Sequence, residues 1–265
     1  MGYLGVEIDW GRMARPQADG YDTEILKQLV AKKYPTWQRL PLAVDEPGMF
    51  GHRVRLTNKP KRAAPYLLNA DPTHPNVGKT EAFLTAHWPE MAEQCGQLMP
   101  EIWIMIDERQ KDVPDVSGCT CGDLKEFGSI CTTIQGVVGF SHGIVHELGH
   151  WKLRAMGVWL LEWDNIVAND PTEMFDSPIR KDIQRPMGAC LQAHYSYLHV
   201  LEMEIRARLV GGASTSMLET NYGRVEDGRR TLEAWRPVPG TEGFLEAIDE
   251  WGADLLARAK PLLQP

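Results

Sequence analysis

An α+β fold dominated by helices is the architecture this sequence predicts, and three observations predict it. Several long segments carry apolar residues at helical spacing. Two β-branched runs near the middle read as strands of a small central sheet. Directly after them, His146-Glu147-Leu148-Gly149-His150 reads as H-E-x-x-H inside an apolar helix. The 265 residues, 43% apolar and 24% charged, suffice for one sizeable core. They predict a single domain over 1–265, with an N-terminal lobe over 1–100 and a motif-bearing core over 101–265.

In chain order, residues 1–22 read as irregular. Thr23 to Tyr34 reads as a helix, with Ile25, Leu26, Leu29 and Val30 inward and lysines outward. Residues 35–79 are rich in Pro and Gly and predict loops with short strands. Thr80 to Leu98 has helical spacing, which Pro89 kinks or divides. Ile102 to Ile106 reads as a buried strand and Ser129 to Val138 as a second. Ser141 is placed to cap the motif helix, whose flanks Ile144, Val145, Leu148, Trp151, Leu153 and Met156 are apolar. A Trp-rich stretch and a long loop, Asn169 to Pro186, follow. One long helix is predicted over 188–210, then two more over about 215–235 and 242–259, with Thr241 capping the last.

The motif carries chemistry because residues i and i+4 share a helix face, so His146 and His150 can point at one metal ion. Glu147 falls about 100° around the helix, where it can touch an ion-bound water without being a ligand. A sheet followed by such a helix is the zincin-like arrangement. The spacing excludes the metzincin form, which needs Gly at 153 and His at 156; Leu153 and Met156 stand there.

Two imidazoles leave a site incomplete, and both zinc hydrolases and non-haem iron oxygenases need a third protein ligand. The long helix offers Glu202 or Glu204. Glu202 is preferred, because it shares a polar stripe with Tyr195, His199 and Arg206; the alternative is an i,i+4 ion pair with Arg206. His194, His199 and Glu173 are weaker candidates. Arg180 and Arg185 precede the helix and can clamp a carboxylate in bidentate fashion, or else pair with Asp176 or Asp182.

Net charge is −8, with no basic stripe, which disfavours a nucleic-acid partner. Neither a signal-peptide core nor a membrane-length apolar run is present, and five cysteines make an odd count; a cytoplasmic protein with reduced thiols is expected. Cys119-Thr120-Cys121 reads as a loop and not a zinc knuckle. Val77-Gly78-Lys79-Thr80 resembles the end of a P-loop, but Thr73 stands where the first Gly is required.

From Ile102 to Ile205 the chain resembles the H-E-x-x-H group of iron(II)- and 2-oxoglutarate-dependent peptide β-hydroxylases found in peptide-modification gene clusters. The motifs that carry the resemblance are Phe127-Gly128-Ser129-Ile130, Ile144 to His150, Asp176-Ser177-Pro178-Ile179-Arg180, Arg185-Pro186-Met187 and Leu191-Gln192-Ala193-His194-Tyr195, running on to Val200-Leu201-Glu202. The resemblance implies an iron(II) ion on His146, His150 and Glu202. It implies 2-oxoglutarate bound with help from Arg180, Arg185 and Tyr195, and a peptide or amino-acid substrate oxidised at its β-carbon. Glu147 then orients a ligand or water. The alternative is a zinc peptidase, in which Glu147 is the general base and Tyr195 or an arginine stabilises the oxyanion. Imidazole and carboxylate suit both ions, so ligand type leaves the metal open.

Overall fold

The computed structural model describes residues 2–37, 41–58, 66–110, 119–121, 127–158, 165–211 and 215–264. The first residues form a two-stranded hairpin, β1 (Gly2–Tyr3) and β2 (Val6–Glu7), where the sequence reads as irregular. Helix α1 (Tyr21–Lys33) follows and buries Ile25, Leu26, Leu29 and Val30 as its apolar spacing predicts. Short strands β3 (Gly48–Met49), β4 (Val54–Thr57) and β5 (Leu67–Asn69) lead to α2 (Pro75–His87) and α3 (Pro89–Leu98). The helix predicted from Thr80 is thus two. Pro89 divides it at Trp88, and α2 starts five residues early on Pro75, where the missing N–H of a first-turn proline costs nothing. The His74 ring accepts the Asn76 N–H there, a cap that the sequence reading overlooked.

The central sheet has the order β3-β4-β6-β8-β7, with β6 (Glu101–Asp107), β7 (Cys119–Cys121) and β8 (Ile130–Thr133). Strands β4, β6 and β8 run parallel, β7 is antiparallel to β8 at one edge, and β5 pairs antiparallel with the far half of β6. Cys119 to Cys121 is therefore an edge strand, not a loop. Because β4 comes from the first hundred residues, one sheet joins the two halves of the chain.

Three residues after β8 the chain enters α4 (Val137–Ala155), the motif helix. It begins earlier than expected, from an extended Gly136, so the strand predicted to Val138 is shorter. Ser141 is not its cap but a residue inside it, whose hydroxyl donates back to Val137 O. A hairpin of β9 (Phe175–Asp176) and β10 (Gln184–Arg185) precedes the long α5 (Met187–Leu209), then α6 (Thr215–Leu232) and α7 (Glu242–Ala259). Thr241 precedes α7, but its hydroxyl donates to Val238 O and makes no side-chain cap. The fold is α+β and mostly helical. Among the described residues no helix is long and apolar enough to cross a membrane.

Packing fixes α4 from four sides. Its Trp151 is fully buried, donates to Ser129 O and packs edge-on against Phe127, so this tryptophan belongs to the core. Trp159 and Trp163 lie outside the described residues. Toward α1, the fully buried Lys152 ammonium lies 3.6 Å from the Asp22 carboxylate and 3.4 Å from His199 Nε2. Toward α2, Thr80 Oγ1 reaches Val137 O. Toward α5, the helices cross closely at Gly149, where an added Cβ would stand 3.1 Å from Ser196 Cα and 3.3 Å from His199 Nδ1. One buried apolar cluster runs from Val6 to Ala259 and takes in all these elements.

Candidate metal centre

From Val138 to Leu153, every residue of α4 is buried except two, His146 and His150. From Met187 to Ile205 in α5, every residue is buried except one, Tyr197. These three half-buried side chains face one another. The His146 and His150 rings are 4.7 Å apart, and Tyr197 meets His146 edge-on at 5.1 Å. The opening in the helical core is thus lined by the motif's two imidazoles.

The two imidazoles converge, His146 Nε2 standing 3.1 Å from His150 Nε2. Helix geometry brings the rings to one face, and a second helix orients one of them. The Gln192 side chain on α5 donates through Nε2 to Val158 O at 2.6 Å, which fixes the sense of its amide. Its Oε1 therefore faces His150 Nδ1, at 2.6 Å, as an acceptor. His150 carries its proton on Nδ1 and turns the Nε2 lone pair toward His146. A lone pair at that distance from a second ring nitrogen calls for a shared proton or cation. Metal–nitrogen bonds of about 2.0–2.1 Å with that separation subtend about 100° at the ion, close to octahedral or tetrahedral coordination. Burial, and then the neighbouring His150, His142 and Arg224, hold His146 well below the usual imidazole pKa. The ring is thus neutral at neutral pH, the form a metal takes. On these counts the pair fits an imidazole-binding divalent ion.

Glu147 is buried, with Oε1 4.0 Å from His146 Nε2. His142 continues the row one turn earlier, its ring 6.4 Å from that of His146 and its Nδ1 3.9 Å from Glu204 Oε1. Burial, then the charge of Arg224, pushes His142 down to about 4. Asn221 Nδ2 donates to Glu204 at 2.8 Å, while its Oδ1 accepts from Arg224 Nη1 at 2.8 Å. The same Nη1 donates to Tyr197 Oη at 3.0 Å, and the guanidinium lies 4.7 Å from the Tyr197 ring centre. A polar chain of His142, Glu204, Asn221, Arg224 and Tyr197 thus borders the imidazole pair.

The remaining predicted residues are elsewhere. Glu202 faces α7 and not α4: Arg258 holds its two oxygens at 2.8 and 3.0 Å, Arg206 holds Oε1, and Trp251 Nε1 approaches Oε2 at 3.5 Å. Burial raises this carboxyl, and the hydrogen bonds and charges of Arg258 and Arg206 outweigh it and keep it ionised. The i,i+4 pair with Arg206 is therefore formed. Tyr195 is fully buried, its hydroxyl 3.3 Å from Met13 O and its ring against Phe244 and His199. Arg180 is tied bidentate to Asp182 at 2.8 and 2.7 Å on the surface. The Ser-Pro-x-Arg segment forms the turn of the β9–β10 hairpin, with Ser177 Oγ accepting the Ile179 and Arg180 N–H groups. Arg185 lies in β10 and forms no ion pair among the described residues. His194 is buried under α6, with no hydrogen-bond partner on either ring nitrogen among the described residues, and His199 bonds Tyr195 O. Glu173 pairs with Arg236.

Among the described residues no third His, Cys, Asp or Glu joins His146 and His150 in one group. Gln192, Tyr197, Asn221 and Arg224 escaped the sequence reading. Gln192 and Tyr197 had a signal only in lying on a helix already singled out. Asn221 and Arg224 had none, because α6 carries no motif. No protein-family model matches the chain, and no curated protein matches it.

Proposed function

We propose that the chain is a mononuclear metal enzyme built on His146 and His150, and that it is an iron(II)- and 2-oxoglutarate-dependent hydroxylase acting on a peptide or amino acid. One observation carries the metal reading. Within two otherwise buried stretches, Val138 to Leu153 of α4 and Met187 to Ile205 of α5, the half-buried residues are the two convergent imidazoles and the tyrosine beside them. A half-buried histidine pair, one ring of which has its tautomer imposed by a buried amide, is what a ligand set requires. Iron(II) with 2-oxoglutarate, when bound, supplies the oxidising chemistry for an unactivated C–H bond. The protein's share is to hold the ion through His146 and His150, to keep His150 in the Nδ1–H form through Gln192, and to exclude water with the buried walls of α4 and α5. The choice of iron rests on the motif order from Phe127 to Glu202.

A second reading, a zinc peptidase, is favoured by Glu147, whose carboxylate lies 4.0 Å from a ligand nitrogen. The antiparallel edge strand beside β8, with the motif helix directly after it, supports a zincin-like arrangement in either case. In the peptidase, Glu147 takes a proton from the attacking water, and Tyr197 with Arg224 faces the developing oxyanion.

Metal analysis of protein purified without oxygen, followed by a succinate-release assay with iron(II), ascorbate and 2-oxoglutarate, separates the readings. Iron content and succinate release dependent on His146 support the hydroxylase. Zinc content, with peptide cleavage that needs no 2-oxoglutarate and is lost in Glu147→Gln, replaces it by the peptidase. Protein that takes up neither ion overturns both.

A further inference from the structure

Arg224 stands out among the cations of this acidic chain. It is half-buried on α6 and borders the opening that exposes His146, His150 and Tyr197. Among the other half-buried arginines, Arg206 and Arg258 are matched by Glu202 and Arg229 by Asp249, while Arg185, in β10 and without an ion pair among the described residues, makes no hydrogen bond or ring contact there with the imidazole pair or with Tyr197. Among the described residues Arg224 has no carboxylate within ion-pair distance. Its hydrogen bonds leave from Nη1 alone, to the neutral acceptors Tyr197 Oη and Asn221 Oδ1. Those two contacts and the ring face of Tyr197 hold the guanidinium plane in place, while Nε and Nη2 keep their donors. The nearest acid in the chain of contacts, Glu204, is reached through Asn221 and lies on the far side of it. A fixed fork of donors with its charge unmatched, at the rim of a site that admits solvent to two imidazoles, is built to receive a planar anion in bidentate fashion.

We propose that Arg224 is the carboxylate-binding residue of this site, and that it anchors a ligand carboxylate while another part of the ligand lies against His146 and His150. The assignment rests on the reading that these imidazoles hold an ion. It moves the carboxylate contact from the hairpin arginines, of which Arg180 is already satisfied by Asp182, to α6. Two sources supply such a group, the distal carboxylate of a 2-oxo diacid and the free carboxylate of an amino acid or peptide C-terminus. Tyr197 is the positioning residue, since it orients Arg224 through both its hydroxyl and its ring.

The test is binding to the Mn(II)-loaded full chain without oxygen, followed by calorimetry. The probes are 2-oxoglutarate, 2-oxobutyrate, which lacks the distal carboxylate, and N-acetylalanine. Arg224→Gln should weaken the anchored probe about ten- to hundredfold, the range of a charge-assisted bidentate contact, with Mn(II) affinity and circular dichroism unchanged. Arg224→Lys keeps the charge without the fork and should weaken it several-fold; it carries the test if Arg224→Gln does not fold. Loss for 2-oxoglutarate with 2-oxobutyrate unchanged assigns the anchor to the co-substrate. Loss for N-acetylalanine assigns it to the substrate. Arg224-dependent binding of N-acetylalanine by a wild-type protein that binds neither 2-oxo acid keeps this proposal and sinks the oxygenase reading. Both variants binding every probe like wild type, or a wild type that binds neither 2-oxoglutarate nor N-acetylalanine, overturns the proposal.

Discussion

Gln192 ties the candidate site to the fold through two hydrogen bonds of 2.6 Å, one to a backbone carbonyl and one to His150 Nδ1. Gln192→Met keeps the volume and removes both. Metal affinity should fall about 10–100-fold, as it does when the outer partner of a ligating histidine is lost. Competition titration with a chromophoric chelator measures this. Nitrogen-15 spectra of the metal-free protein should show His150 losing its fixed Nδ1–H tautomer; an unchanged tautomer would remove Gln192 from the site. Glu202 tests the opposite case. Its oxygens lie in a network with Arg206, Arg258 and Trp251. Glu202→Ala should lower stability by about 1–3 kcal/mol, the arginines being partly solvated, and leave metal occupancy intact. Loss of metal without loss of stability, by metal analysis and urea unfolding, would return Glu202 to the ligand set. At this scale the sequence was legible where the chemistry is local. His146 and His150 share a face because they are one helical turn apart, whatever the rest of the chain does. Glu202 and Tyr195 were misplaced because a stripe on a buried helix does not say which neighbour it faces.

Among elements, the crossing of α4 over α5 decides the site, and Gly149 decides the crossing. With no Cβ there, Ser196 approaches and Gln192, one turn earlier on α5, reaches His150. Gly149→Ala places a methyl group 3.1 Å from Ser196 Cα, and backbone must yield. Overpacking of about 1–3 kcal/mol is partly offset by a helix-propensity gain of about 1 kcal/mol. The net stability change should therefore be small, while metal affinity drops because the two helices separate at the point that sets the Gln192 contact. Thermal unfolding together with a cobalt(II) titration reads both. Wild-type affinity in this variant would mean the close crossing does not position Gln192. Helix existence was legible from apolar periodicity, as α1, α5 and α7 bear out. Element ends were not: the cap of α2 is a histidine ring, outside the usual capping residues, and the early start of α4 at Val137 is met by Thr80, distant in sequence.

For the whole molecule, acid sensitivity follows from histidines buried in the neutral form. Burial, then the charge of Arg229, pushes His194 down to about 3, and His142 lies at about 4. Unfolded, both titrate near 6.5 and bind protons that the folded state refuses. Stability is then complete above about pH 6.5 and falls as pH drops toward the folded values, by up to about 1.4 kcal/mol per unit for each ring. His194→Leu removes one such group, along with two ring nitrogens that have no hydrogen-bond partner among the described residues. The metal-free variant should lose about 2 kcal/mol less than wild type between pH 6.5 and 4.5, read from urea midpoints. Parallel pH dependences in the two proteins would exclude His194 as a source.

The sequence by itself determined the helical α+β class, the strand before the motif helix and the meeting of His146 with His150. Each depends on spacing along one segment, and backbone geometry fixes such spacing. The tertiary structure alone decided which side chains of α5 and α6 border that pair. Rotation of a helix about its axis is set by packing against every neighbour at once. The partners it selects, Gln192 for His150, Arg258 for Glu202 and Arg224 for Tyr197, come from segments 42, 56 and 27 residues apart.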